Sequence, residues 1–267
     1  MKIYVIHKKI LIAYSLLFAL IAGVLVFNWD SATAVLETMA PKKDLPIYSV
    51  QKNEKICAIS FDAAWGNEDT HDLIKILEKY NVKTTFFVVG EWVDKYPESV
   101  KELSDAGHEI MNHSNTHPHM TKLSKEQMQE EITLCSDKIE KITGVRPNLF
   151  RPPYGDYNDA VVGNTRDISH YTIQWSVDSL DWKDLEPQAI CDRVIKGVQP
   201  GSIVLFHNAA KNTPSALPTI LETLINDGYK IVPVSELIYK DNFTIDHTGK
   251  QIPNSIEKNI TAEHADE

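Results

Sequence analysis

From Lys55 to Tyr239 the chain alternates short apolar, β-prone runs with amphipathic stretches. The runs Lys55–Phe61, Lys83–Val88, Glu109–Met111, Leu149–Phe150, Tyr171–Trp175, Ser202–Leu205 and Tyr229–Val232 predict strands. Between them, apolar positions recur at helical spacing. They predict helices over Asp69–Tyr80, Pro97–Ala106, Lys125–Thr143, a stretch beginning near Asn158, Pro187–Gly197, Ser215–Asp227 and a last one around Val234–Tyr239. Strand and helix in strict alternation imply a parallel sheet covered by helices, because parallel neighbours need long crossovers. The expected architecture is α/β, a distorted (β/α) barrel of about seven parallel strands, closed or nearly closed.

The ends follow other patterns. Lys2, Lys8 and Lys9 precede Ile10–Phe27, an uncharged run near the ~20 residues that span a bilayer. Residues 1–28 are therefore expected to form an N-terminal transmembrane helix, a membrane anchor with its positive flank in the cytoplasm and the rest of the chain translocated. Ala32-Thr33-Ala34 offers the alternative of a cleaved leader, although the apolar run exceeds the ~7–15 residues usual for one. Residues 29–53 show no sustained period and read as a linker, and 54–240 as the folded domain. Residues 241–267, with scattered single isoleucines, read as a polar mobile tail.

Composition narrows the partners. In 267 residues, 43% hydrophobic and 24% charged, there is enough apolar material for one substantial core. A formal charge of −10 excludes nucleic acid as a partner, since no basic surface remains to displace counterions. Cys57, Cys135 and Cys191 are far apart and form no C-x-x-C pair, so they read as buried small hydrophobes. In an oxidising compartment two of them could still pair.

In parallel barrels chemistry collects at the carboxyl ends of the strands. Polar clusters fall at five predicted strand ends: Asp62, the NHSNTHPH stretch from Asn112, RPPYG from Arg151, VDSLDW from Val177 and LFHN from Leu205. His113 and His117, four apart, would face the same way on a helical turn and could share a metal ion. His119, after Pro118, reads as a bystander or spare ligand. Asp62, flanked by Phe61 and Trp65, sits where solvent is partly excluded and a general base is useful. The two prolines after Arg151 would hold its guanidinium toward a carboxylate. Taken singly, each has a bland alternative: a helix cap, a surface salt bridge, solvated acids, a core histidine. Together on one rim they are the parts of metal-assisted hydrolysis.

With those motifs in order, the stretch Glu54–Tyr239 resembles the polysaccharide deacetylases with a NodB-homology domain, carbohydrate esterase family 4. SFDAAWG stands for that family's T-F-D-D-G, HSNTH for H-[ST]-x-x-[HD], RPPYG for R-x-P-[YF], DSLDW for D-x-x-D-W and LFH for L-x-H. The anchor and short lead-in are most similar to its sporulation-associated membrane branch. The resemblance implies Asp62 as catalytic base, Arg151 orienting it, His207 as general acid and Asp181 tuning that histidine. It implies His113 and His117 as metal ligands, the backbone N–H of Tyr154 as oxyanion donor, and Trp182 and Leu205 lining the substrate pocket. One role is empty: the family's second aspartate, a metal ligand, is Ala63 here.

What the resemblance implies is removal of N-acetyl groups from an amino-sugar polymer, peptidoglycan or a related cell-wall glycan, outside the cytoplasmic membrane. The implied cofactor is a weakly held divalent metal ion, zinc first, cobalt or nickel otherwise. A glycan-binding protein on the same barrel, impaired by the loss at Ala63, is the alternative. A hydrolase of small cyclic amides is a more remote one.

Overall fold

The computed structural model describes residues 43–254; the expected anchor, residues 1–28, lies outside them. Among the described residues no helix is long and apolar enough to cross a membrane. The chain enters through β1 (Ser49–Val50) and runs into the central strand β2 (Ile56–Ala63). Helix α1 (Thr70–Lys79) leads to β3 (Thr85–Val88), then α2 (Gly90–Lys95) and α3 (Pro97–Asp105) to β4 (Glu109–Asn112). The long α4 (Lys125–Thr143) starts at a capping box, Ser124 with Gln127, and stops at left-handed Gly144, as its sequence dictates. There follow β5 (Leu149–Phe150), α5 (Asp159–Asp167) capped by Asn158, β6 (Tyr171–Thr172) and β7 (Val177–Asp178). Then come α6 (Pro187–Gly197), β8 (Ile203–His207), α7 (Thr213–Asn226), β9 (Lys230–Val232) and α8 (Val234–Leu237).

Eight strands, all parallel, form one curled sheet in the order β6-β5-β4-β3-β2-β8-β7, with β9 along the first half of β2. This is the expected distorted barrel with one strand more than predicted. The run expected as a single strand to Trp175 ends at Thr172, and the chain resumes as β7 after a break at Ser176, whose N–H donates to Ile203 instead.

The residues expected to be a linker and a tail contribute structure. The Ile47 N–H donates to Thr172, Gln174 donates back to Ile47, and Val50 donates to Gly201, so this segment spans from the β6 edge to the start of β8. Ile47 and Val50 are buried. Strands β10 (Phe243–Ile245) and β11 (Lys250–Pro253) form a hairpin whose second strand pairs with β1. Its turn is shaped by the Asp246 carboxylate, which accepts from the N–H groups of Thr248 and Lys250, and by left-handed Gly249 packed on Tyr48. Fully buried Gln251 closes the hairpin onto Tyr239 through two side-chain bonds.

Strand alternation explains the interior. Ala58, Phe87, Met111, Leu149, Ile173, Ile203 and Val232 meet inside the barrel. Ile59, Phe61, Phe86, Val88, Val204 and Phe206 face outward under the helices. Cys57, Cys135 and Cys191 are buried and unpaired, as the sequence suggested.

Candidate active site

Counting by twos from the inner apolar layer reaches the site. Ala58 leads to Ser60 and Asp62, Met111 to His113, Leu149 to Arg151, and Ile203 to Leu205 and His207. Each polar residue stands on the inner face just beyond the last apolar position of its strand. Asp62 and His207 are register partners on adjacent strands. Around them lies a cavity of about 450 Å³ lined by Asp62, Ala64, Trp65, His113, His117 and Leu205, among others. Tyr154, Trp175, Asp178, Trp182 and His207 also face it.

The acid–base half is closely held. Arg151, fully buried, donates through Nη1 to Asp62 Oδ1 at 2.7 Å and through Nη2 to Ser60 Oγ at 2.8 Å. Its guanidinium lies 4.1 Å from the centroid of the Phe87 ring. Burial alone would raise the Asp62 carboxyl, but the charge and hydrogen bond of Arg151, with the charge of His207, outweigh it and hold the group below the usual carboxylate range. His207 Nδ1 bonds Asp181 Oδ1 at 2.8 Å, and the other Asp181 oxygen accepts from the His207 N–H at 2.8 Å and from Thr213 Oγ1 at 2.7 Å. Burial pushes the His207 imidazole down; the hydrogen bond and charge of Asp181, with Asp62 and Asp178, reverse this, so its pKa is raised. A carboxylate whose ionised form is favoured thus stands beside an imidazole whose protonated form is favoured, the arrangement that divides base from acid.

His113 and His117 also meet, their ring centroids 5.0 Å apart, though not on a helical turn as their spacing suggested. The stretch is a loop in which Ser114 and His117 both take positive φ, 69° and 60°. The loop holds that shape because Asn112 accepts from the Ser114 N–H, Ser114 Oγ from the His117 N–H, and Glu131 from the Asn115 and Thr116 N–H groups. His113 Nδ1 is 2.6 Å from the Arg151 carbonyl, which makes it the donor and leaves Nε2, 3.5 Å from Asp62 Oδ2, as the free lone pair. Burial keeps both rings neutral: His113 is lowered, and His117, with the added repulsion of His113, falls to about 4.

These neutral imidazoles suit a divalent ion, and they are the residues that would hold one. No third protein donor joins them: among the described residues no group of three or more His, Cys, Asp or Glu side chains is placed to bind a metal. Ala63 is fully buried in the outer core, and the residue that lines the cavity is Ala64. The spare candidate His119, and the polar residues Asn67 and Asp69 that follow Asp62 along the chain, are engaged elsewhere. His119 stacks on Tyr154 with centroids 4.4 Å apart and lies 3.4 Å from Asp156. Asn67 donates to Ser99, and Asp69 Oδ2 accepts from the Ala209 N–H.

Tyr154 stands at φ 59°, followed by Gly155 at 66°, where a Cβ would come 3.0 Å from Trp175. That double left-handed turn lifts the Tyr154 ring to the rim, between His117 and His119. Every candidate site residue singled out from the sequence, Ala63 apart, therefore borders the cavity or supports one that does. Sequence reasoning gave Trp65 only a share in shielding Asp62, and assigned no role to Trp175, Asp178 or the supporting Ser60 and Asn208. For Trp175 the available signal is its place two residues beyond inward-facing Ile173.

Comparison with known proteins bears on this geometry. Residues 49–173 match the family described as polysaccharide deacetylase. The peptidoglycan-N-acetylmuramic acid deacetylase PdaC of Bacillus subtilis is 37% identical over 71% of this chain and 40% of its own length. A peptidoglycan-N-acetylglucosamine deacetylase of Bacillus cereus is 36% identical over 72% of this chain and 92% of its own. Among solved structures, a carbohydrate esterase family 4 pseudoenzyme from Bacillus anthracis superposes with a TM-score of 0.70 at 38% identity, covering 76% of this chain and 70% of that one. A mutant of it, described as having restored enzymatic activity, superposes equally well at 39% identity. The chain spans no more than about two-thirds of some curated relatives, 66% of YlxY from Bacillus subtilis and 40% of PdaC. Five motifs in order, a parallel barrel with those motifs on one rim, and relatives above 30% identity matched over most of their length lead to one assignment: the chain belongs to the polysaccharide deacetylase family.

Proposed function

We propose that the protein removes N-acetyl groups from an amino-sugar polymer, peptidoglycan or a related cell-wall glycan, outside the cytoplasmic membrane to which residues 1–28 tether it. The observation that carries this reading is the juxtaposition of the Asp62–Arg151 and Asp181–His207 pairs on adjacent strands. Asp62, kept ionised by Arg151, takes a proton from the water that attacks the acetamide carbonyl. The backbone N–H of Tyr154 faces the developing oxyanion. His207, kept protonated by Asp181, gives its proton to the departing amine, so the products are acetate and a free amino sugar. Leu205, on the cavity wall below His207, receives the acetyl methyl, and Trp182 bounds the sugar.

A divalent ion, zinc or else cobalt or nickel, held by His113 and His117 would supply Lewis-acid polarisation of the carbonyl and acidification of the water. With two protein donors where catalytic zinc sites generally have three, it is weakly held. The missing third donor also favours a second reading, a glycan-binding protein without turnover, and one structural relative is described as a pseudoenzyme.

The test is acetate released from acetylated wall glycan and from chitooligomers by the metal-stripped protein, before and after refilling with zinc, cobalt or nickel. Release on refilling supports the enzyme; glycan binding with no release under any metal supports the second reading. A reporter fused after Tyr239 should function only outside the cytoplasm.

A further inference from the structure

Trp65 is the largest apolar side chain type in the protein, yet 56% of it is exposed. It is not loose. Asn208, buried at the end of β8, accepts from the Ala64 N–H at 3.2 Å and donates to the carbonyls of Trp65 and Gly66, while its own N–H donates to Asp62. Trp92 Nε1 donates to Gly66 as well, at 2.8 Å. The turn carrying Trp65 is thereby fixed to both central strands. Its indole stands over the reacting groups, 5.9 Å from the His117 ring and 6.3 Å from that of His207. Trp182, 55% exposed, borders the same cavity and an adjoining one of about 290 Å³, as does Trp65.

Two rigidly mounted indoles left open to solvent beside a cavity of this size are apolar surface awaiting a ligand face. The apolar C–H face of a pyranose ring is such a surface. The charge of the walls limits which pyranose. Asp62 and Asp178 line the larger cavity and Asp184 the smaller, while no Lys or Arg among the described residues lines either. Arg151 is buried behind Asp62 and already paired. Lys183, its ammonium 4.9 Å from the Trp182 ring centroid, is not a lining residue. A sugar bearing a carboxylate would meet these acids, while the one cationic side chain on the wall, His207, is already paired with Asp181.

We propose that Trp65 is a specificity-determining residue that, with Trp182, clamps an uncharged N-acetylhexosamine unit and leaves carboxylate-bearing units disfavoured. This rests on the deacetylase reading for its substrate class, but clamping is a matter of binding and can be measured without turnover.

Calorimetric titration of the whole protein with N-acetylchitotetraose, and with a peptide-free wall tetrasaccharide carrying free lactyl carboxylates, decides it. The wild type should bind the uncharged tetraose at least about 10-fold more tightly, ~1.4 kcal/mol, and added salt should narrow the gap as it screens the wall charges. Trp65→Ala should lose about 10-fold for the tetraose, and Trp65→Phe should recover most of that loss. Such a pattern with no acetate release would support the clamp while removing the enzyme reading. Tetraose binding unchanged in Trp65→Ala, or equal or tighter binding of the lactyl-bearing glycan by the wild type, would overturn the clamp even where acetate is released.

Discussion

The two halves of the candidate active site are built to different standards. On the acid–base side each carboxylate is tied down: Asp62 by Arg151, Asp181 by the Nδ1 and N–H of His207, by Thr213 and by the Trp182 N–H. On the imidazole side, two neutral rings project from a loop with two left-handed residues and find no third donor, because Ala63 carries none and faces the outer core. Groups that must change protonation in a fixed geometry are preorganised by the chain itself. On the proposed reading the imidazoles await an ion whose remaining coordination the described residues do not supply.

The contrast is broken most directly on the preorganised side. Asp62→Asn and His207→Ala should each lower kcat by about 10²–10⁴, the scale of lost general acid–base catalysis, with tetraose binding nearly intact by calorimetry. Either variant turning over at the wild-type rate would remove that residue from the chemistry. Arg151→Leu tests the same half through stability. It leaves Asp62 buried beside no cation, and breaking a buried pair in this way costs about 3–5 kcal/mol, to be read from denaturant unfolding.

Restoring a carboxylate sharpens the other side. Ala63→Asp buries an acid in the outer core beside Phe61 and Val88, so the stripped variant should melt below the wild type. Ala63 is the last residue of β2, next to cavity-lining Ala64, so an aspartate there leaves the apolar layer only by turning toward the ion; zinc should then recover that loss and bind at least about 10-fold more tightly than to the wild type, ~1.4 kcal/mol. Equal zinc affinity in the two proteins would show that position 63 does not reach the ion.

The smallest effects are in the pH dependence of stability of the stripped protein, where Asp62 and His207 have opposite signs and His117 shares that of Asp62. The depressed Asp62 pKa stabilises above the unfolded value of ~3.9, and this contribution is lost as pH falls through the lower folded value. His207, raised, stabilises fully below ~6.5 and loses its contribution as pH rises through the folded value. His117 does the reverse, costing stability as pH falls from ~6.5 toward its folded value of about 4. His117→Ala should flatten that acid slope in thermal melts, whereas His207→Ala should remove the loss on the alkaline side.

Most of this was legible in the sequence for a stated reason. The strands are apolar runs ending in a polar residue, and two-residue alternation carries Ala58 to Asp62 and Ile203 to His207 without knowledge of the fold. The helix limits at Ser124, Gly144 and Asn158 follow from cap chemistry. The imidazole loop was legible as a pair of histidines on one site but not as a shape, since its left-handed residues are Ser114 and His117 rather than glycine, held by bonds to Asn112 and Glu131 that no local pattern announces. Strands β1, β10 and β11 were hidden because they are short and bury only isolated residues, Val50 and Gln251, with Ile47 just ahead of β1. The role of Trp65 depends on Asn208, 143 residues away, for its fixed position.

The central claim is that the chain supplies a complete acid–base pair and an incomplete metal site. The direct measurement is acetate release from N-acetylchitotetraose by exhaustively dialysed wild-type protein, titrated with zinc while binding is followed calorimetrically. The account predicts no release after dialysis, release that rises with added zinc along the binding curve, and an affinity weak enough for dialysis to strip the ion. Zinc retained stoichiometrically through dialysis, or zinc bound with no acetate released, would contradict it.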